Sequence, residues 1–288
     1  RGIRQLGTAY LVFPCARHTR FEHSIGTVHM ATQMVRAVND NAAAAPAALA
    51  AIDDDALRSI RIAALVHDVT HIPFGHHIED QAGMIPRHDS EPRVRAMLGD
   101  ATDLGRVLRD LGVRDQVLAI LLEGKAAGLP AVAPFMHQLV SDTICSDILD
   151  YLARDAYFTG LALNTDPRLV RYFRVDAARR RLFVDCEKNG MVREDILSEI
   201  LRALEARFYF SERVFYGQGW YVSGVYALTV ALALAGGPRL VRRVGELNLA
   251  AAGLGGIVAL ALLFAVAEPI LADVAAIETK LKAWGADA

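Results

Sequence analysis

The chain has 288 residues, 53% of them hydrophobic, and its 31 basic residues nearly balance 33 acidic ones, for a net charge of -2. That length suits one large domain, or one domain with an appendage, and the charge balance shows no basic field of the kind that marks a nucleic-acid surface. The three cysteines (Cys15, Cys145, Cys186) are too scattered for a disulfide framework or a paired-thiol zinc site, which fits a reducing cytoplasm. Residues 1–20 carry charges throughout and lack the apolar core of a signal peptide; the chain starts without methionine, as a fragment would.

Helix signals dominate. Glu22 to Asn39 has apolar Ile25, Val28, Met34 and Val35 among polar positions and predicts a helix. Asn41 to Pro46 reads as an alanine-rich linker. Asp53, Asp54 and Asp55 can cap a helix over about Ala56 to Asp68, because carboxylates satisfy free amides and complement the N-terminal dipole. A loop with Pro73 and Gly75 and a short helical turn near His77 follow. Residues 91–124 suggest two short helices, and Pro134 to Thr159 one long helix. Residues 169–186 alternate with period two around the turn Ala177 to Arg180, which predicts a small β-hairpin. Helices resume at about Arg193. The expected fold is mainly α, a helical bundle over residues 1–213 with one hairpin and an apolar helical tail over 214–288.

The tail stands apart. Val214 to Pro238 has no charged residue, and Leu249 to Ala267 is nineteen consecutive apolar or glycine residues. Both reach the length of a membrane span, with Arg239, Arg242 and Arg243 between them. Two readings fit, a membrane hairpin over 214–267 and a pair of buried helices. The abundance of weakly apolar Ala and Gly favours the second.

The strongest chemical signal is His67-Asp68. It ends the apolar run Ile62-Ala-Ala-Leu-Val and is followed by His71, Pro73, Phe74, Gly75, His76 and His77. Imidazole and carboxylate together suit iron, manganese, zinc or magnesium and leave positions open for water or a phosphate oxygen. His71 is four residues from His67, on the same helix face. Two ligands from one helix do not close a site. Upstream, Arg20 and His23 are three apart and share a face: the imidazole can bind metal while the guanidinium holds phosphate as a planar fork. Downstream, Asp147, Tyr151 and Asp155 recur every four residues, with Asp150 and Arg154 beside them. A carboxylate at the start of that stripe can close a metal site, and the tyrosine and later carboxylate suit a sugar.

The order His23, His67-Asp68, Asp147 resembles the H…HD…D skeleton of the HD superfamily. Four longer phrases, Gln5-Leu-Gly-Thr-Ala-Tyr-Leu-Val-Phe-Pro, His18-Thr-Arg-Phe-Glu-His-Ser-Ile-Gly, His67-Asp-Val-Thr-His-Ile-Pro-Phe-Gly-His and Asp150-Tyr-Leu-Ala-Arg-Asp-Ala-Tyr-Phe-Thr-Gly, are similar to the deoxynucleoside triphosphate triphosphohydrolase branch, which includes dGTPase-like enzymes. The resemblance spans about residues 1–216. It implies hydrolysis of a deoxynucleoside triphosphate to the deoxynucleoside and triphosphate, with a divalent metal on His23, His67, Asp68 and Asp147. It implies Arg20 on phosphate, His71 beside the α-phosphate, His88 as general acid on the leaving 5′ oxygen and Glu79 as its acidic partner. His76, Asp150, Tyr151, Asp155 and Tyr216 complete the substrate contacts that it implies, and homo-oligomers are common in the family. The sequence departs from the family pattern at Thr70, where glycine is usual, at Ile148, where a basic residue commonly follows the last metal aspartate, and at Gly217-Gln218-Gly219-Trp220, where histidine and lysine are usual. Three other readings stay open: a phosphohydrolase of another nucleotide or phosphate ester, a non-catalytic nucleotide-binding regulator, and a membrane-attached sensor.

Overall fold

The computed structural model describes residues 2–7, 9–73, 79, 86–163 and 166–216. These fall in the first of the two units into which the chain divides, Arg1–Gly219; the second, Trp220–Ala288, lies outside them, as do His76, His77 and the expected turn beside them. The described elements run α1 (Arg20–Ala44), α2 (Asp54–Val66), α3 (Glu91–Met97), α4 (Asp103–Asp110), α5 (Arg114–Leu121), α6 (Pro134–Val140), α7 (Ser146–Thr159), a 3-10 turn (Pro167–Tyr172), β1 (Phe173–Val175), β2 (Leu182–Val184), β3 (Glu187–Lys188), β4 (Met191–Val192) and α8 (Glu194–Phe210), which continues into a π-type turn (Ser211–Tyr216). The fold is mainly α. Among the described residues no helix is long and apolar enough to cross a membrane.

Helix α1 is the axis of the fold, packed against α2 on one flank and α7 on another. It starts at a reciprocal cap: the Thr19 hydroxyl accepts from the Glu22 amide at 3.3 Å, and the Glu22 carboxylate accepts from the Thr19 amide at 2.6 Å. The cap fixes Arg20 and His23 in the first turn. The helix runs on through Ala42 to Ala44 where a linker was expected, because alanine is the best helix former and the chain ends the helix only near Pro46. Helix α2 begins as expected, with the Asp53 carboxylate accepting from the Ala56 amide at 2.8 Å. The Asn39 side chain ties the two helices together, donating to the Ile52 carbonyl at 2.9 Å and accepting from its amide at 2.8 Å.

Other boundaries differ from expectation. Residues 91–124 form three short helices rather than two, with breaks at Gly99 to Thr102 and at Gly112. The segment from Pro134 to Thr159 is two helices, since the chain leaves helical geometry from Ser141 to Cys145. Ser, Asp and Thr side chains there compete for backbone groups, as when the Asp142 carboxylate accepts from the Thr143 amide at 2.6 Å. The break places Asp147 in the first turn of a new helix. The hairpin is present, but shorter: Phe173 pairs with Val184 and Val175 with Leu182, while Pro167 to Tyr172 is a 3-10 turn capped by Asp166. A second small hairpin, β3 with β4, turns at Asn189-Gly190, both with positive φ.

Two apolar clusters hold the unit. The larger joins Met34, Val35 and Val38 of α1 to Ile60 and Ala63 of α2, Leu139 and Phe135 of α6, and Phe173 and Val175 of β1. The smaller sits under the N-terminal segment and joins Leu6 and Ala9 to Ile148 and Leu152 of α7 and Phe210 of α8. Between them α7 crosses α1 at Gly26, where an added Cβ would run into the Asp150 carboxylate and the Arg154 guanidinium. That close approach brings the start of α7 to the end of α2.

Candidate metal centre and adjoining cavity

At the end of α2 the His67 Nδ1 lies 2.8 Å from the Ala64 carbonyl one turn back. A carbonyl only accepts, so Nδ1 carries a proton and Nε2 is the nitrogen that can turn to a metal. His23 is held in the same way: its Nδ1 is 2.8 Å from Asp150 Oδ2, and its ring is buried. Each Nε2 then points at the same carboxylate. Asp147 Oδ1 is 3.0 Å from the Nε2 of His23 and 3.5 Å from that of His67. Asp68 completes the ring, with Oδ1 3.4 Å from His67 Nε2 and Oδ2 3.8 Å from His23 Nε2. Both Nε2 atoms are buried and neither makes a hydrogen bond of normal geometry. Two buried imidazole nitrogens facing two carboxylates are a donor set that fits a divalent cation, whose binding would displace the Nε2 protons.

The structure thus brings together the four residues expected to bind metal. One ligand atom each from His23, His67 and Asp147 lie within 4.8 Å of one another, and so do those of Asp68, His71 and His88. Asp68 connects the two groups. Arg20, expected to hold phosphate, donates from Nη1 to Asp68 Oδ2 at 2.7 Å and also lines the adjoining cavity.

The electrostatics follow from this geometry. Burial alone would depress the His23 imidazole, but Asp147, Asp150 and Asp68 outweigh it and push it up to about 10. Burial also opposes the charged form of His67, and Asp68 and Asp147 raise it. Burial would raise both carboxyls, but His23 and His67 hold Asp147 below the usual carboxylate range, and His67, Arg20 and His71 hold Asp68 well below it.

Beside it stands a second layer. The Glu79 side chain is buried, with Oε2 3.4 Å from His71 Nδ1 and 3.1 Å from His88 Nδ1, and Oε1 accepting from Arg93 at 3.0 Å. Burial would raise this carboxyl, but His71, Arg93 and His88 hold it low. The rings of His71 and His88 stack at 3.7 Å. One carboxylate therefore orients both imidazoles through Nδ1, and His71 Nε2 lies 3.4 Å from Asp68 Oδ1. Thr70, which stands where the family pattern has glycine, donates its hydroxyl to the His88 carbonyl at 2.6 Å and so ties down the segment that carries His88.

The centre opens into a cavity of about 430 Å³. Its walls carry Arg20, Arg87, Lys125 and Arg207 against Asp68, Asp89, Asp142 and Asp147, four cations and four carboxylates. Tyr151 lines it, its phenol pushed up by burial and by Asp147 and so kept as a hydroxyl. Cys145 also lines it; burial pushes its thiol up to about 12, which leaves it protonated and a poor nucleophile. Ile148 contributes an apolar wall.

Two residues expected at the substrate are elsewhere. Asp155 is fully buried, 2.6 Å from His18 Nε2, and Asp150 is buried between His23 and a bidentate Arg154. The period-four stripe is real, but its far end packs on His18, ahead of α1, so of the three only Asp147 and Tyr151 line the cavity. His76 lies outside the described residues, as does the Tyr216 side chain. Sequence reasoning missed Lys125 and Arg207. Lys125 stands alone after Gly124, and Arg207 sits among other charges of α8, so neither carries a local signal.

Comparison with known proteins accords with this geometry. Residues 20–155 match the model of the HD domain. The chain is 33% identical over 183 residues to the deoxynucleoside triphosphate triphosphohydrolase SAMHD1 homolog of Dictyostelium discoideum, covering 61% of this chain and 34% of that one. To the deoxynucleoside triphosphate triphosphohydrolase SAMHD1 of Mus musculus it is 30% identical over 223 residues, covering 68% and 31%. An uncharacterized protein of Methanocaldococcus jannaschii is 29% identical over 207 residues, covering 72% and 36%. The chain spans about a third of the length of these relatives. Among solved structures, a phosphohydrolase of Bacteroides thetaiotaomicron superposes with a TM-score of 0.61 at 24% identity, over 79% of this chain and 50% of that one, a likeness of fold. Residues 20–155 are an HD domain. The chain is similar to the deoxynucleoside triphosphate triphosphohydrolases named above.

Proposed function

We propose that this chain carries the catalytic core of a metal-dependent phosphohydrolase that cleaves a deoxynucleoside triphosphate into the deoxynucleoside and inorganic triphosphate. The observation that carries the reading is the meeting of His23, His67, Asp68 and Asp147, the last three of which line a cavity that also presents Arg87, Lys125 and Arg207. The printed activity of the Dictyostelium and mouse relatives supports the substrate class.

A divalent ion on those four residues would supply a Lewis acid for a phosphate oxygen and lower the pKa of water. The chain's own residues do the rest. His23 and His67 present Nε2 because Asp150 and the Ala64 carbonyl hold their Nδ1 atoms. Arg20 leans on Asp68 and can turn its remaining donors to a phosphate oxygen. Glu79 keeps the His71 and His88 rings aimed from Nδ1, so Nε2 of His88 is the atom that would give a proton to the leaving 5′ oxygen, and His71 that which would face the α-phosphate. Tyr151 offers a hydroxyl to the sugar. The ion itself is proposed as iron, manganese, zinc or magnesium. Assembly into a homo-oligomer and a cytoplasmic setting are proposed on the family resemblance and on the three unpaired cysteines. Hydrolysis of another nucleotide or phosphate ester is the second reading, favoured by the apolar Ile148 on the cavity wall.

Product analysis separates the two. Incubation with dGTP and manganese should yield deoxyguanosine and triphosphate in equal amounts. Stepwise release of orthophosphate from the same nucleotide would instead favour the second reading.

A further inference from the structure

We infer that Arg93, in the first turn of α3, is a positioning residue that acts with the Thr70 hydroxyl to hold His88 in place through Glu79; this rests on the function proposed above, which gives His88 its role. Three separate segments end on one guanidinium. Nη1 donates to Glu79 Oε1 at 3.0 Å and to the Pro86 carbonyl at 2.6 Å, and Nη2 donates to the Thr70 carbonyl. Pro86 stands two residues before His88, and Thr70 two residues after Asp68 of the metal centre. The Glu79 side chain is fully buried and that of Arg93 partly so. A planar guanidinium presents several donors in fixed directions, so it can join three oxygens where an aliphatic side chain joins none.

What these bonds fix is direction. Glu79 Oε2 meets His88 twice, accepting from its backbone amide at 3.2 Å and lying 3.1 Å from its Nδ1. Arg93 on Oε1 then sets the rotation of the carboxylate, and with it the line along which the imidazole is held. Burial would raise the Glu79 carboxyl; His71, Arg93 and His88 hold it low, so it stays an acceptor. From the other side the Thr70 hydroxyl donates to the His88 carbonyl at 2.6 Å. His88 is thereby held at its amide, its carbonyl and its ring. Glycine, usual at position 70 in the branch that the sequence resembles, has no hydroxyl to give, so this tie is the chain's own. A general acid must lie within hydrogen-bond reach of the leaving oxygen when the proton moves. Freedom in this segment therefore lowers turnover and leaves substrate binding nearly unchanged.

The test compares Arg93→Met, Thr70→Val and Thr70→Ser with wild type in two readouts. The first is the imidazole nitrogen NMR spectrum of histidine-labelled, magnesium-loaded protein, with the His88 signals assigned by their loss in His88→Ala. Wild type should show His88 protonated at Nδ1 in one environment. Arg93→Met should shift or broaden those signals and leave His137, which lies 2.7 Å from the Ile120 carbonyl through its own Nδ1, as it was. The second readout is dGTP hydrolysis with manganese. Arg93→Met should lower kcat about 10- to 100-fold, with KM within about twofold and metal content unchanged. Thr70→Val should lower kcat about tenfold, the scale of one hydrogen bond lost, and Thr70→Ser, which keeps the hydroxyl, should stay near wild type. Unshifted His88 signals in Arg93→Met would overturn the inference. So would Thr70→Ser as slow as Thr70→Val, or a loss of kcat matched by loss of metal, which is what a purely structural tie gives. If wild type does not cleave dGTP to triphosphate, the function proposed above fails, and the imidazole spectrum still decides the positioning.

Discussion

His23 shows how much of the centre depends on residues that touch no metal. Its Nδ1 rests on Asp150, which is itself held by both Arg154 nitrogens at 2.9 and 2.8 Å. Removing the acceptor charge frees the ring to turn and makes it less basic. Asp150→Asn should therefore lower divalent-metal affinity about 10- to 100-fold with the helix content unchanged, measured by competition with a metal indicator. Unaltered affinity would mean that the carboxylate does not orient the ring. The same geometry sets a pH signature for the metal-free protein. The His23 pKa is raised in the fold to about 10, so its pairing stabilises fully below the unfolded value of about 6.5 and is lost as pH rises through 10. Asp147 and Asp68 are depressed and act in the opposite direction: their contribution is present above about 3.8 and fades at lower pH. The melting temperature of chelator-treated protein should fall between pH 7 and pH 10; a flat or rising profile would contradict the pairing. At this scale His67 and Asp68 were legible because two metal-ligand types end an apolar helix together. Asp150 and Asp155 were not, because a period of four says which side chains share a face and nothing about which helix covers it.

At the scale of elements, the crossing of α1 and α7 is what assembles the site. It depends on the absence of a side chain at Gly26, where α7 presents Asp150 and Arg154. Gly26→Ala keeps good helix propensity but forces the helices apart, so it should destabilise by about 1–3 kcal/mol, read as a lower denaturation midpoint, and weaken metal binding with it. A midpoint at or above that of wild type would show that the crossing is looser than it looks. The element pattern was readable at Asp53, whose side chain bonds the next turn. The Thr19 cap was missed, and α1 starts at Arg20, two residues before the expected Glu22. The pattern was misread in the division of residues 134–159 into α6 and α7, because the i, i+4 spacing of Val140, Ile144 and Ile148 runs across the polar break at Ser141-Asp142-Thr143 and hides it. The Asn189-Gly190 turn did carry a hairpin signal, but its flanks are two residues each and exposed, too short to show alternation.

For the whole molecule, mainly helical architecture followed from composition and periodicity, and the HD domain from ligand order. The cavity did not. Three of its four cations come from the turn after α5, the segment before α3 and the last turn of α8, so that Lys125, Arg87 and Arg207 meet only through folding. This is why the cavity was harder to read than the cluster of histidines and carboxylates beside it. The apolar stretch at 214–267 lies almost wholly outside the described residues, and its two readings keep the standing that composition gives them. The central claim is that four side chains from three distant segments hold one ion. Metal analysis of the purified protein beside its His67→Ala variant tests it most directly. About one divalent ion per chain in the wild type, and its loss in the variant with the fold retained by circular dichroism, is the result expected; full metal content in His67→Ala would contradict it.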